Sequence, residues 1–116
     1  MELAYLLHNL GALITLGLGV LGLVHPRGAA RFAAVAPQGL LGLAEVRATY
    51  GGLFAALGAF ALVAQDMVAF IGLGAAWVGA ALGRCASVFL DGAREPRNFA
   101  GILFEAGIGA LLLFPS

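Results

Sequence analysis

The sequence predicts an all-α protein: a four-helix transmembrane bundle with short loops and both termini on the non-cytoplasmic side. Three observations lead there. The 116 residues are 62% hydrophobic and only 10% charged, with a mean hydropathy of +1.02. A typical soluble domain is about 45–50% apolar and about 25% charged, so a water-soluble fold would leave much of this apolar surface uncovered. Four apolar runs approach the ~20 residues needed to span a bilayer. The charges, six basic and six acidic, gather mostly between or at the edges of those runs. The chain reads as one integral membrane domain, 1–116, with helices over about 3–24, 38–64, 67–90 and 99–114.

The first run spans Leu3 to Val24 and stops at His25-Pro26-Arg27-Gly28. Met1-Glu2-Leu3-Ala4 lacks the positive region of a secretory leader, so this run is expected to be a retained helix. Ala4, His8, Gly11, Thr15, Gly19 and Gly22 alternate at four- and three-residue spacing. Small residues on one face let helix backbones approach closely, so this face is expected to be a packing seam. The first loop, 25–37, has room for a short interfacial helix over Ala29 to Ala36. Pro37 suits the first turn of the second helix.

The second run, from Gln38 to Ala64, has Glu45, Arg47 and Tyr50 in its first half and no charge after Gly51. Gly51-Gly52 permits a bend there. Gln65-Asp66 is a connection short enough to make the next helix an antiparallel neighbour, and Asp66 is placed to cap it. The third run, Met67 to Leu90, has a second small-residue stripe of Ala69, Gly72, Ala76, Gly79 and Gly83. The fourth, Phe99 to Phe114, is expected to be capped by Asn98 and sets Glu105 between Gly101 and Gly109. The packing glycines expected from these patterns are Gly11, Gly19, Gly52, Gly72, Gly79, Gly83, Gly101 and Gly109.

With four spans, Arg27, Arg31, Arg47, Arg84, Arg94 and Arg97 fall on one side, and Glu2 and Asp66 on the other. The positive-inside rule then makes the arginine side cytoplasmic and sets both termini outside it, in a cell inner membrane. At ~1.5 Å per residue, Glu45, Arg84 and Glu105 each lie roughly 10 Å from the cytoplasmic ends of their helices, with Arg47 slightly deeper. An isolated charge at that depth costs about 2.5–3.5 kcal/mol on insertion scales. Two acids and two arginines at one level can satisfy each other. Arg84 and Arg47 are therefore expected to pair with Glu105 and Glu45, in an order that spacing does not fix. Glu45 and Arg47 themselves point about 200° apart on a regular helix. Tyr50, one turn from Arg47, either closes this network or faces a ligand.

Glu45-Val46-Arg47-Ala48-Thr49-Tyr50-Gly51-Gly52, followed by Gly83-Arg84, Asp91-Gly92 and Glu105, resembles domain-of-unknown-function family 4345. Those are small four-helix bacterial membrane proteins, similar in architecture to the wider DoxX-like group. The resemblance covers nearly the whole chain and implies a four-helix fold with a shared polar cluster. It implies no catalytic residue.

Several chemistries find no support. Zero net charge argues against nucleic acid, and the lone Cys85 excludes an internal disulfide and reads as an inert apolar thiol. His8 and His25 read as packing or interfacial residues, Trp77 as a packing or lipid-facing one, and no metal-ligand set or cofactor motif is present. The leading reading is a non-enzymatic accessory or scaffold protein, partnered by the bilayer and by a homo-oligomer or larger membrane complex. The alternative is binding or transport of a lipid, quinone or other small ligand in a cytoplasm-facing pocket built on the same polar residues.

Overall fold

A computed structural model describes residues 2–116, and all regular structure among them is helical. The order is α1 (Glu2–Val24), α2 (Pro26–Phe32), α3 (Gly39–Ala64), α4 (Met67–Leu90) and α5 (Pro96–Leu113). Inside α3, Arg47–Leu53 winds as a π-helix. By its contacts the chain divides into two compact units. One holds the start of α1, through Gly11, together with Gln65–Ser116; the other holds Ala12–Ala64.

Three helices, α1, α3 and α4, are long and apolar enough to cross a membrane. The fourth expected span falls in α5, which is 18 residues long and is not one of the three. Arg97, Asn98 and Glu105 lie within it and lower its apolar character. Its start also differs from expectation. Pro96 takes the first helical position, where its missing N–H costs nothing. Glu95 is the cap residue, so Asn98 lies inside the helix and is released for another role.

Unit Ala12–Ala64 is built on close backbone approach. A Cβ on Gly19 would lie 2.2 Å from the Ala55 backbone nitrogen, and one on Gly22 would lie 2.3 Å from the Tyr50 carbonyl oxygen. A Cβ on Gly51 would in turn lie 2.9 Å from the Gly22 carbonyl carbon, and one on Gly58 would meet Leu16 and Ala12. The α1 stripe is therefore the packing seam that its spacing predicts. Ala4, His8, Gly11, Thr15, Gly19 and Gly22 are all buried. Gly52 is not the contact glycine of the pair; its neighbour Gly51 is.

The first loop folds as α2 three residues earlier than expected. His25 caps it, its Nδ1 accepting from the Gly28 N–H at 2.9 Å, and Pro26 follows at the first turn. Pro37 stays outside α3, ahead of the cap residue Gln38. Ala29 and Ala30 bury against Val46, with Leu21 and Tyr50 packed around them.

In the other unit, α4 buries Phe70, Leu73, Gly74, Trp77, Ala81 and Val88. Helix α5 answers with Glu105, Ile108, Gly109 and Leu112. Trp77 meets Phe104 edge-on at 6.3 Å, a favourable quadrupolar geometry. Gly109 packs against Val78, and Gly11 and Gly74 pack against the leucines at 112 and 113. Asp66 caps α4 as expected, accepting from the Val68 N–H at 3.3 Å. The α4 stripe departs from expectation: Gly72, Gly79 and Gly83 have no neighbouring atom where a Cβ would go. The helix instead turns its bulky face inward, because a Phe, Leu and Trp surface offers more dispersion contact than glycine does.

These two sets of glycines make opposite predictions. Gly19→Ala and Gly22→Ala drive a methyl into backbone that cannot swing aside, and overpacking of that kind costs about 1–3 kcal/mol. Gly79→Ala meets open space and gains about 0.5–1 kcal/mol of helix propensity. Thermal melts in one detergent should show the first two below wild type and the third at or above it. A Gly79→Ala loss as large as that of Gly22→Ala would contradict the packing described.

Candidate functional site: the arginine–glutamate network of α4 and α5

Arg84 lies two turns before the end of α4, and Glu105 lies near the middle of α5. The Arg84 Nε–H donates to Glu105 Oε1 at 2.8 Å. Its Nη1 donates to Asn98 Oδ1 at 3.3 Å, and the Asn98 amide in turn donates to the Ala93 carbonyl at 2.9 Å. One guanidinium fork thus ties α4 to two points on α5 and, through Asn98, to the loop between them. The carboxylate is the buried partner: the Glu105 side chain is 12% exposed, against 33% for Arg84. Room for the arginine comes from Gly101, where a Cβ would lie 2.9 Å from Arg84 Nε. Gly101 thus packs against a charged side chain, and Gly109, two turns on, against an apolar one.

Glu45, Arg47 and Tyr50 lie in the unit Ala12–Ala64. The acid and base of this stretch do not pair with each other. Glu45 Oε1 accepts from the Thr49 hydroxyl at 3.1 Å, one turn along the same helix. Arg47 donates through Nη1 to the backbone carbonyl of Leu23. That carbonyl belongs to the last turn of α1, which has no basic residue of its own. The last carbonyls of a helix have no intrahelical donor and carry its negative dipole end, so a cation is well placed there. Tyr50 packs on the Ala29, Ala30 and Val46 cluster, and its ring lies tilted to Phe54 at 6.1 Å.

The π-helical segment explains why one stretch combines these residues. Arg47, Tyr50, Gly51 and Gly52 all lie on it. A π turn shifts the helix register locally. Here Arg47 reaches the end of α1 while Gly51 keeps its close contact with Gly22. Among the described residues, no group of three or more His, Cys, Asp or Glu is placed to hold a metal ion. No buried side-chain nitrogen or oxygen among them lacks a hydrogen-bond partner.

Sequence reasoning missed three participants. Asn98 had a signal, since it precedes Glu105 by two helical turns. Thr49 had one too, four residues after Glu45. The Leu23 carbonyl had none, because a backbone acceptor carries no side-chain mark.

A family model described as Domain of unknown function (DUF4345) matches residues 5–115 of the chain. No curated protein and no solved structure matches it.

The Arg84–Glu105 contact is testable by a double-mutant cycle with Arg84→Leu, Glu105→Leu and both together. Neighbours in one hydrogen-bonded network couple by about 0.5–3 kcal/mol, and a value in the upper half of that range is expected here. Arg84→Lys should recover only part of the loss, since an ammonium cannot hold Glu105 and Asn98 with a planar fork. Strict additivity of the two single substitutions would remove the pair from the stability of the fold.

Proposed function

This chain belongs to the DUF4345 family, and from that premise we propose that it is a non-enzymatic integral membrane protein of accessory or scaffold type. It crosses the membrane four times, with both termini outside the cytoplasm. The observation that carries the scaffold reading is how the charged groups spend their hydrogen bonds. Arg84 binds Glu105 and Asn98, Arg47 binds the end of α1, and Glu45 binds Thr49. The two arginines hold one helix to another element, and the Glu45 contact stays within α3.

The bilayer reading is supported by the outer surface. Leu40 is 85% exposed, Leu41 81%, Val63 85%, and Phe89 and Leu90 81% each. So many large apolar side chains exposed in each unit need lipid or protein to cover them. Helix α5, at ~1.5 Å per residue, is about 27 Å long, close to the ~30 Å hydrocarbon core. Its Glu105 enters that depth already paired, which lowers the cost that a lone charge would carry. Orientation follows from the arginines, which all fall toward the 25–37 and 91–98 loops. The walls of the bundle are then the surfaces left for partners, either further copies or other membrane subunits.

Two measurements test this reading. In a Cys85→Ala background, a cysteine added after Ser116 should react with an impermeant thiol reagent in intact spheroplasts; reaction only after lysis would reverse the orientation. Native mass spectrometry from mild detergent should show self-association, lipid or protein partners. A stoichiometric small molecule that is lost in Arg84→Leu would instead favour ligand binding at the network.

A further inference from the structure

At the end of its unit away from Arg84, the chain holds a second polar feature that the scaffold reading does not use. His8 is 3% exposed, and its Nε2 lies 2.7 Å from the carbonyl oxygen of Phe114. A carbonyl can only accept, so Nε2 carries the proton, and in the neutral ring Nδ1 is a bare acceptor. Among the described residues Nδ1 has no hydrogen-bond partner, yet no buried side-chain nitrogen is left unpaired. The nitrogen is therefore not sealed off, and the ring lines a cavity. That cavity has a volume of about 400 Å³, bounded by Tyr5, His8, Gln65, Met67, Phe70 and Ser116.

The surroundings of this acceptor are fixed and mostly apolar. Phe70 holds the imidazole at a ring separation of 5.1 Å and a 32° tilt. Gln65, in the left-handed region at φ 48°, is clasped by Asn9. Asn9 donates to Gln65 Oε1 at 3.2 Å, and Gln65 donates to Asn9 Oδ1 at 2.6 Å. Residues held in that region persist where neighbours over-determine them, and here the amide clasp shapes one wall. The volume falls in the ~300–1,000 Å³ range of small-molecule sites, which combine an apolar lining with a few fixed polar groups.

We propose that this cavity binds a small phenolic compound. The phenol O–H donates to His8 Nδ1, and the aromatic body lies on Phe70 and the Met67 thioether. An acceptor without a proton selects a hydroxyl donor over an ether or a carbonyl. An aromatic body suits the site because a ring edge against sulfur and offset contact with Phe70 are both favourable.

The test uses the full chain in detergent with ¹⁵N-labelled histidine, titrated with phenol and, separately, with anisole, which has nearly the same shape and no O–H. Phenol should move the His8 Nδ1 resonance along a saturable curve, while anisole binds at least tenfold more weakly. His25 is the internal control, because its Nδ1 already accepts from Gly28. His8→Phe should abolish the preference for phenol over anisole. Met67→Trp fills the cavity without touching the His8–Phe114 bond, and should abolish saturable binding while the melting temperature holds. This second variant decides the matter if His8→Phe does not fold. Equal response to the two compounds, a linear unsaturable drift with phenol, or unchanged binding in Met67→Trp would each overturn the assignment.

Discussion

A chain this poor in polar residues must answer each polar atom that it buries with another of its own. In hydrocarbon an unpaired N–H, C=O or charge costs several kcal/mol, and no water is at hand to offset it. Much of the architecture follows from that constraint. Arg84 is divided between Glu105 and Asn98, and Asn98 passes the contact on to Ala93. Arg47, itself exposed, goes to the end of α1, where the last carbonyls lack intrahelical donors. His8 does the same at the end of α5, where it holds the Phe114 carbonyl. Two helix ends are thus capped by side chains from other helices, a device suited to a chain with short loops.

The helices themselves were legible from apolar run length, because a run that fills a bilayer leaves little choice of structure. Their boundaries were less so. Asn98 looked like a cap because asparagine favours caps, but Pro96 starts α5 earlier and frees the amide for Arg84. The glycine stripes show a sharper limit. The α1 stripe packs and the α4 stripe faces outward, although the two spacings are alike. Spacing says which residues share a face. It does not say which face a neighbour covers, and in α4 the bulky residues decided that.

The charged cluster was legible in the same uneven way. Matched depth brought out Arg84 and Glu105, since two charges from separate helices at one level have reason to meet. It could not assign Arg47, because the competing partner was a backbone carbonyl. Nor did pattern reveal the π turn. Gly51-Gly52 marked a place where the backbone is permissive, and the observed deviation surrounds it, but a glycine pair is equally compatible with a bend or with nothing.

That π turn acts as one residue more than a regular helix would need, and its wider winding absorbs that residue so that the two halves of α3 keep their faces. Each residue of an α-helix advances the side-chain direction by about 100°. Removing a single residue between 47 and 53 would let α3 relax to uniform winding with Val46 still turned to Ala29 and Ala30, whereas removing one from a regular part of the helix would turn one half by about that angle against the other. The cost of losing the π turn would fall inside it, on the contacts that Arg47 and Gly51 make with the end of α1. The stretch is therefore a place where the chain holds one residue more without re-facing the helix on either side.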